Sequence, residues 1–440
     1  MTATPSGGAG ISRSLNDAPM RGLQIFIVVL LVLLNALDGF DVLAITFAAP
    51  GISEDWSISR SALGAVIAAS VMGMAVGSIF LAPMADRIGR RPTILICLCI
   101  MAVGMLLTAT ADSIAMLSAW RIFTGVGIGG MIPAITAASA EFSNEKRRDL
   151  AVSAMTIGYP LGGLIGGFLS AGLVDFGGWR AIFIAGGVAT AAFIPIVWFA
   201  LPESLEYLAA RGGANALSKV NAILKRLGHA PVNEALASVM PQQSSDPRAL
   251  LGPDLRTLTF LLISAYFLHI MAFYFFTGWL PKIMTDAGYA TSVAIATSAI
   301  TSTGGVLGGI FIGLTSPYIG LKRLAIISMA GTSVLMAVVA VSTGDLNTLR
   351  AAAFVLGIFM MGGIVGLYAF LARAFPARLR VTGCGLAIAM GRAGGIVGPI
   401  LGGVLLDMGL RAGSVLTVIG ITAAVGALFL LPVRLQTHKD

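Results

Sequence analysis

Two acids, Asp38 and Asp41, stand in Leu-Asp38-Gly39-Phe40-Asp41-Val, inside an apolar run over residues 24–50. A run of ~20 apolar residues crosses the ~30 Å of hydrocarbon in a bilayer. At ~1.5 Å per residue the acids lie roughly 21–26 Å from the run's inner end. That places Asp38 near mid-membrane and Asp41 somewhat further out. A spacing of three puts both on one helical face. A charge at that depth costs at least ~2.5 kcal/mol on insertion scales. Two on one face therefore look into a polar cavity, pair with cations, or carry a proton. A structural ion pair with a buried arginine is the plainer reading. The two are compatible, because a pair that breaks on protonation can couple proton and solute movement.

Two arginines are the candidate cations. Arg121 opens Arg121-Ile-Phe-Thr-Gly125-Val-Gly127-Ile-Gly129-Gly130, and Arg392 lies in Gly391-Arg392-Ala-Gly-Gly-Ile-Val-Gly398-Pro399. Arginine keeps its charge when buried, and its fork matches a carboxylate. Arg392 is assigned to the carboxylate of an anionic substrate and Arg121 to the acids at 38 and 41; the opposite assignment stays open. Residues 266–281 are crowded with aromatics, Phe273 among them, and carry His269 as a possible proton or hydrogen-bond group. Aromatic rings can stack on a planar substrate, but most of these are expected to be lipid-facing packing. Tyr159 and Tyr368 are polar aromatics placed similarly in other apolar runs.

The elements that position these residues are membrane helices. The 440 residues are 57% hydrophobic and only 11% charged, against about 25% charged in soluble domains. Twelve spans are predicted at 24–50, 60–83, 92–111, 114–138, 150–174, 179–201, 257–281, 291–314, 322–342, 346–372, 380–406 and 410–432. The polar segment 202–256 divides them six and six. It reads as a linker with a charged surface helix and a Pro/Gln/Ser-rich piece. The domains expected are therefore a tail over 1–23, a six-helix bundle over 24–201, the linker, a second bundle over 257–432 and a tail over 433–440. With both termini cytoplasmic, inner segments hold 21 of the 28 Lys and Arg residues, as the positive-inside rule requires. The net charge of +8 is thus a topology signal and calls for no nucleic acid. Cys97, Cys99 and Cys384 lie in apolar runs and read as small core- or lipid-facing residues.

The halves repeat. Gly77 to Arg91, between spans 2 and 3, matches Gly308 to Lys322 between spans 8 and 9, and the second copy lacks the acid. In the first copy Asp86, Arg87, Gly89, Arg90 and Arg91 follow Gly77. Gly77 would let span 2 approach a neighbour closely. Asp86 would pair with an arginine across the inner seam and latch one half-open state. Glu141, with Arg380 in the corresponding region of the other half, would form an inner gate of charge pairs.

Together these residues resemble the aromatic acid:proton symporter family of the major facilitator superfamily, over nearly the whole chain. The resemblance rests on Asp38-Gly39-Phe40-Asp41 with Ala49-Pro50, on Asp86 to Arg91, on Arg121 to Gly130, and on Phe375-Pro376-Ala-Arg378-Leu-Arg380 followed by Gly391-Arg392 and Gly398-Pro399. It implies an all-α membrane protein of two pseudo-symmetric six-helix bundles in the bacterial inner membrane, working as a monomer by alternating access. It further implies proton-coupled uptake of an aromatic carboxylate, with Asp38 and Asp41 carrying the proton. Ile364 stands where the family suggests an amide, and Phe375 where it often has tyrosine, which points to a different ring-substituent pattern from common hydroxybenzoate carriers. No metal cluster, phosphate-binding loop or nucleophile–base pair is visible in the sequence. No cofactor is expected, and catalysis and ATP-driven transport are disfavoured. Transport of a non-aromatic acid, or proton-driven export, are the alternatives.

Overall fold

The computed structural model describes residues 18–211, 216–232, 250–253, 255–375 and 379–433. All regular structure among them is helical. Eleven helices among the described residues are long and apolar enough to cross a membrane. One of them, Arg148–Ala200, has 53 residues, roughly 80 Å of helix at 1.5 Å per residue and far more than a bilayer needs. It is broken at Gly178, whose φ of 61° and ψ of −164° suit only glycine. The break gives two spans, so twelve segments among the described residues are long and apolar enough to cross.

We label these α1 (Gly22–Trp56), α2 (Arg60–Phe80), α3 (Arg90–Ala109), α4 (Ile114–Glu141), α5 (148–177) and α6 (179–200) in the first bundle. The second holds α7 (Arg256–Asp286), α8 (Thr291–Ile319), α9 (Leu321–Val341), α10 (Leu346–Ala374), α11 (Arg380–Asp407) and α12 (Ala412–Leu430). Three helices outrun their predicted ends the furthest. α1, α7 and α8 continue past Pro50, Pro281 and Pro317. A proline inside a membrane helix removes one N–H, and neighbouring helices make good the loss.

Glycines set the close contacts within the first bundle. A Cβ on Gly77 would lie 2.0 Å from the Val126 carbonyl oxygen, so α2 meets α4 backbone to backbone. Between the bundles, α2 packs on α11, α5 on α8 and α1 on α7. At the end away from the arginine-rich loops this seam is tied by charge. Asp407 of α11 accepts from the backbone N–H groups of Arg60 (3.0 Å) and Ser61 (2.8 Å) at the start of α2. Arg60 also reaches Asp286 of α7 at 3.5 Å.

The linker's described part holds two short helices, Leu205–Arg211 and Ala216–Leu227. The second buries Ala216, Val220, Leu224 and Leu227, one stripe at helical spacing, and exposes Lys219, Lys225 and Arg226. It is fastened to the first bundle. His229 Nε2 lies 3.0 Å from Gln24 Oε1 of α1, and the Gln24 amide donates to the Phe142 carbonyl at the end of α4. The Pro/Gln/Ser-rich piece of the linker lies outside the described residues.

Candidate functional site

α1 carries the acids into the middle of the first bundle. Gly39, between them, presses on α5 so tightly that a Cβ would stand 2.1 Å from the Tyr159 carbonyl oxygen. This contact brings Asp38 within electrostatic reach of Tyr159 and of Cys97 on α3. Asp38 is fully buried, and neither carboxylate oxygen has a hydrogen-bond partner. Asp41 is different. Arg121 of α4, itself fully buried, donates to its Oδ1 at 2.8 Å and to its backbone carbonyl at 2.6 Å. Arg121 Nε donates to Ser70 of α2 at 2.9 Å, and the guanidinium stands 5.5 Å from the centre of the Phe183 ring. Each nitrogen of the Arg121 fork is bonded within its own bundle.

Tyr159 faces the seam. Its buried hydroxyl donates to that of Tyr274 of α7, and Tyr368 of α10 lies within its electrostatic reach. Tyr368 accepts from the Tyr266 hydroxyl at 3.0 Å, with the two ring centres 5.7 Å apart. Arg392 extends from α11 across the seam to α2, where it donates to the Met74 carbonyl at 2.6 Å and to Ser78. It stands close enough to Tyr266 and Tyr274 to act on both electrostatically.

Between the bundles lies a cavity walled by Phe47 of α1, Tyr159 of α5, Phe273 and Phe276 of α7, Ser298 of α8 and Met360 of α10. Of the residues expected at a substrate, Tyr159 and Phe273 line this cavity. Arg121, Arg392, His269 and Tyr368 do not. The ring of His269 points to α10 instead, with Nε2 3.0 Å from the Met360 carbonyl. A carbonyl only accepts, so that nitrogen carries the hydrogen. The α7 aromatics also correct the sequence reading. Tyr266, Phe273, Phe275, Phe276 and Trp279 are buried rather than lipid-facing, packed on α10, α11 and the seam.

The loop after α2 is built differently from the expected latch across the seam. Asp86 pairs with Arg90 at 2.9 Å inside the same loop, and Arg90 pairs with Glu141 at 3.1 Å, all within the first bundle. Glu203 completes the cluster by accepting from the backbone N–H groups of Arg90 (2.8 Å) and Arg91 (3.2 Å) at the N-terminus of α3, where a carboxylate is favoured by the helix dipole. Gly89 makes the turn with φ 109°. Arg91 donates to the Trp198 carbonyl and stacks 5.2 Å from that ring, while the Arg87 carbonyl accepts from Tyr207 at 3.3 Å. The Arg380 side chain lies outside those described. The sequence offers Glu203 only as part of Pro202-Glu203-Ser204 at the end of span 6, a weak motif, and it does not point to Asp407 or Ser298. An acid just before a predicted helix is the signal that marks Glu203; the other two carry none.

Fold and site define a polytopic helical membrane protein with buried charge in one bundle and a central cavity between two. The chain belongs to the major facilitator superfamily, whose sequence profile matches residues 31–314 and 262–440. It is a transporter and not an enzyme. The gallate transporter of Pseudomonas putida is 32% identical over 425 residues, covering 95% of this chain and 93% of that one. The 4-hydroxybenzoate transporter PcaK of Pseudomonas aeruginosa is 30% identical, covering 97% and 96%. The partially occluded inward-open structure of the xylose transporter XylE from E. coli superposes with a TM-score of 0.75 at 17% identity, covering 96% of this chain and all of that one.

Proposed function

We propose that this transporter takes up an aromatic carboxylate together with protons, by rocking its two bundles about the central cavity. The observation that carries the reading is Asp38, a fully buried carboxyl with no hydrogen-bond partner among the described residues, within electrostatic reach of a tyrosine that lines an aromatic-walled cavity. A carboxyl without a counter-ion at membrane depth is a place for a proton. Asp41 and Arg121 form the adjoining pair whose charge balance a proton would alter. Full-length relatives named for gallate, 4-hydroxybenzoate and benzoate support the substrate class. Arg392 neutralises the substrate carboxylate once α2 and α11 part and release it from Met74 and Ser78. The arginine-rich loops and both termini face the cytoplasm of a bacterial inner membrane, and Arg60, Asp286 and Asp407 close the opposite, outer end.

The test is accumulation of labelled benzoates and hydroxybenzoates in proteoliposomes with an imposed pH gradient. Acid outside should accelerate uptake and drive it above equilibrium. Uptake indifferent to the gradient rejects proton coupling, and no uptake of any aromatic acid rejects the substrate class.

A further inference from the structure

The hydroxyl groups of the central cavity are not equivalent, and their bookkeeping identifies what they can hold. Thr277, Thr301 and Ser302 line it, but each spends its hydrogen on a carbonyl of its own helix: Phe273 at 2.8 Å, Thr297 at 3.1 Å and Ser298 at 3.2 Å. Their oxygens therefore face the cavity as acceptors only. Tyr159 does likewise, its hydroxyl donating to that of Tyr274. Ser298 differs: its hydroxyl is buried without a partner among the described residues, and the residue is only 8% exposed. A buried donor left unpaired is costly, so a free donor among acceptors on one cavity marks a place where a ligand completes the bonding. None of the cavity's lining residues is ionisable except Tyr159, and none is a cation. An ionised carboxylate desolvated here would find no counter-charge.

A cavity with one free donor, Ser298, four acceptors including Tyr159, aromatic walls and no charge among its described lining suits a neutral group that both donates and accepts. We infer that Ser298 and Tyr159 read a phenolic hydroxyl on the substrate ring, with the carboxylate left outside the cavity on the tyrosine-lined seam leading to Arg392. The inference rests on the proposed transport of aromatic acids and adds to it the ring substituent and the residues that select it. Phe273 and Phe276 of α7 and Phe47 of α1 supply the ring's walls. The hydroxyl lies toward α8, where a benzoate without it would leave the Ser298 donor unpaired. Discrimination of this kind is large, because the analogue lacking the group buries unsatisfied polar atoms in the site.

The experiment is competition in proteoliposomes with an acid exterior, comparing benzoate with its 2-, 3- and 4-hydroxy derivatives, first in the wild type and then in Ser298→Ala. At least one hydroxylated acid should outcompete benzoate by about tenfold or more in the wild type. Ser298→Ala should lower that preference ratio about tenfold, the equivalent of one good hydrogen bond. A wild type that prefers benzoate overturns the inference without needing any variant to fold. So does a Ser298→Ala protein whose uptake of both acids falls in step, leaving the ratio unmoved. In either case the transport reading survives, because benzoate still accumulates. Failure of every aromatic acid to accumulate removes both.

Discussion

In the first bundle Asp38, Asp41 and Arg121 lie fully or almost fully buried. In the second, the buried polar residues described are Ser, Thr and His, with no buried Asp, Glu, Lys or Arg among the described residues. The backbones do not explain this difference. Gly89 and Gly320 stand at matching places in the repeat and make the same positive-φ turn, at 109° and 89°. Around Gly89 the turn carries Asp86, Arg90, Glu141 and Glu203 in one bonded cluster. Around Gly320, Pro317 stands in the place of Asp86. One turn thus works with and without the acid at its start, so that acid serves something other than the turn. The division suggests a proton-handling half and a ring-reading half facing each other across Tyr159. Each prediction below tests whether the halves are as separate as that.

Removing Arg121 should do the most damage. Arg121→Ala leaves Asp41 unpaired in the membrane, and breaking a buried pair by one partner costs about 3–5 kcal/mol. We expect folded protein to be lost or to melt far earlier in detergent. Arg121→Gln with Asp41→Asn should recover much of the stability but none of the gradient-driven uptake. Recovery of coupled uptake in that double variant would show that the pair is scaffolding only.

Asp38→Asn should separate stability from coupling. The carboxyl has no hydrogen bonds to lose, so thermal unfolding should move little. A one-unit pH gradient drives about tenfold accumulation per coupled proton. The variant should only equilibrate its substrate, while substrate exchange continues. Accumulation that persists places the proton elsewhere, and the halves would then have to share it.

Much of this division is legible in the sequence, because it rests on local spacing. The interval of three between Asp38 and Asp41 and the apolar run around Arg121 bring acid and base to one depth. The geometry supplies which acid is bonded: Arg121 meets Asp41 and leaves Asp38 alone. The break at Gly178 is legible as a pair of glycines between two apolar runs. What escapes sequence reading is long-range. Asp407 and Arg60 are 347 residues apart and look like loop charges until the seam joins them. Ser298 is one of several hydroxyls on α8, and nothing local says that its neighbours spend their hydrogens on backbone while it does not. Asp86 misleads because its exposed carboxylate has Arg87, Arg90 and Arg91 close along the chain, and Arg90 at i+4 wins.

The seam itself offers a smaller test. Asp407 caps the first turn of α2 from the opposite bundle. Asp407→Ala should therefore shift the equilibrium modestly toward the outer-open form. In a cysteine-free background, a cysteine placed at Leu280, which lines the cavity, should react correspondingly faster with an impermeant maleimide added outside. An unchanged rate would mean that the halves are held at that end by packing and not by charge.

The smallest effect concerns the linker, which belongs structurally to the charged half. His229 is held below the ordinary imidazole value by its burial and by the Arg21 guanidinium nearby. Its Nε2–H faces Gln24 Oε1, an oxygen that also accepts from the Arg21 backbone N–H. The folded protein thus takes up the proton less readily than the unfolded chain. Stability from this contact is complete above the unfolded imidazole value near 6.5 and is lost as pH falls through the lower folded value. His229→Gln should cost about 0.5–1.5 kcal/mol at neutral pH, the worth of one hydrogen bond. The difference in unfolding temperature between wild type and variant should shrink between about pH 8 and about pH 5. If it widens toward acid instead, His229 is stabilised by its proton and the linker binds this bundle through a charge that the folded contacts do not display.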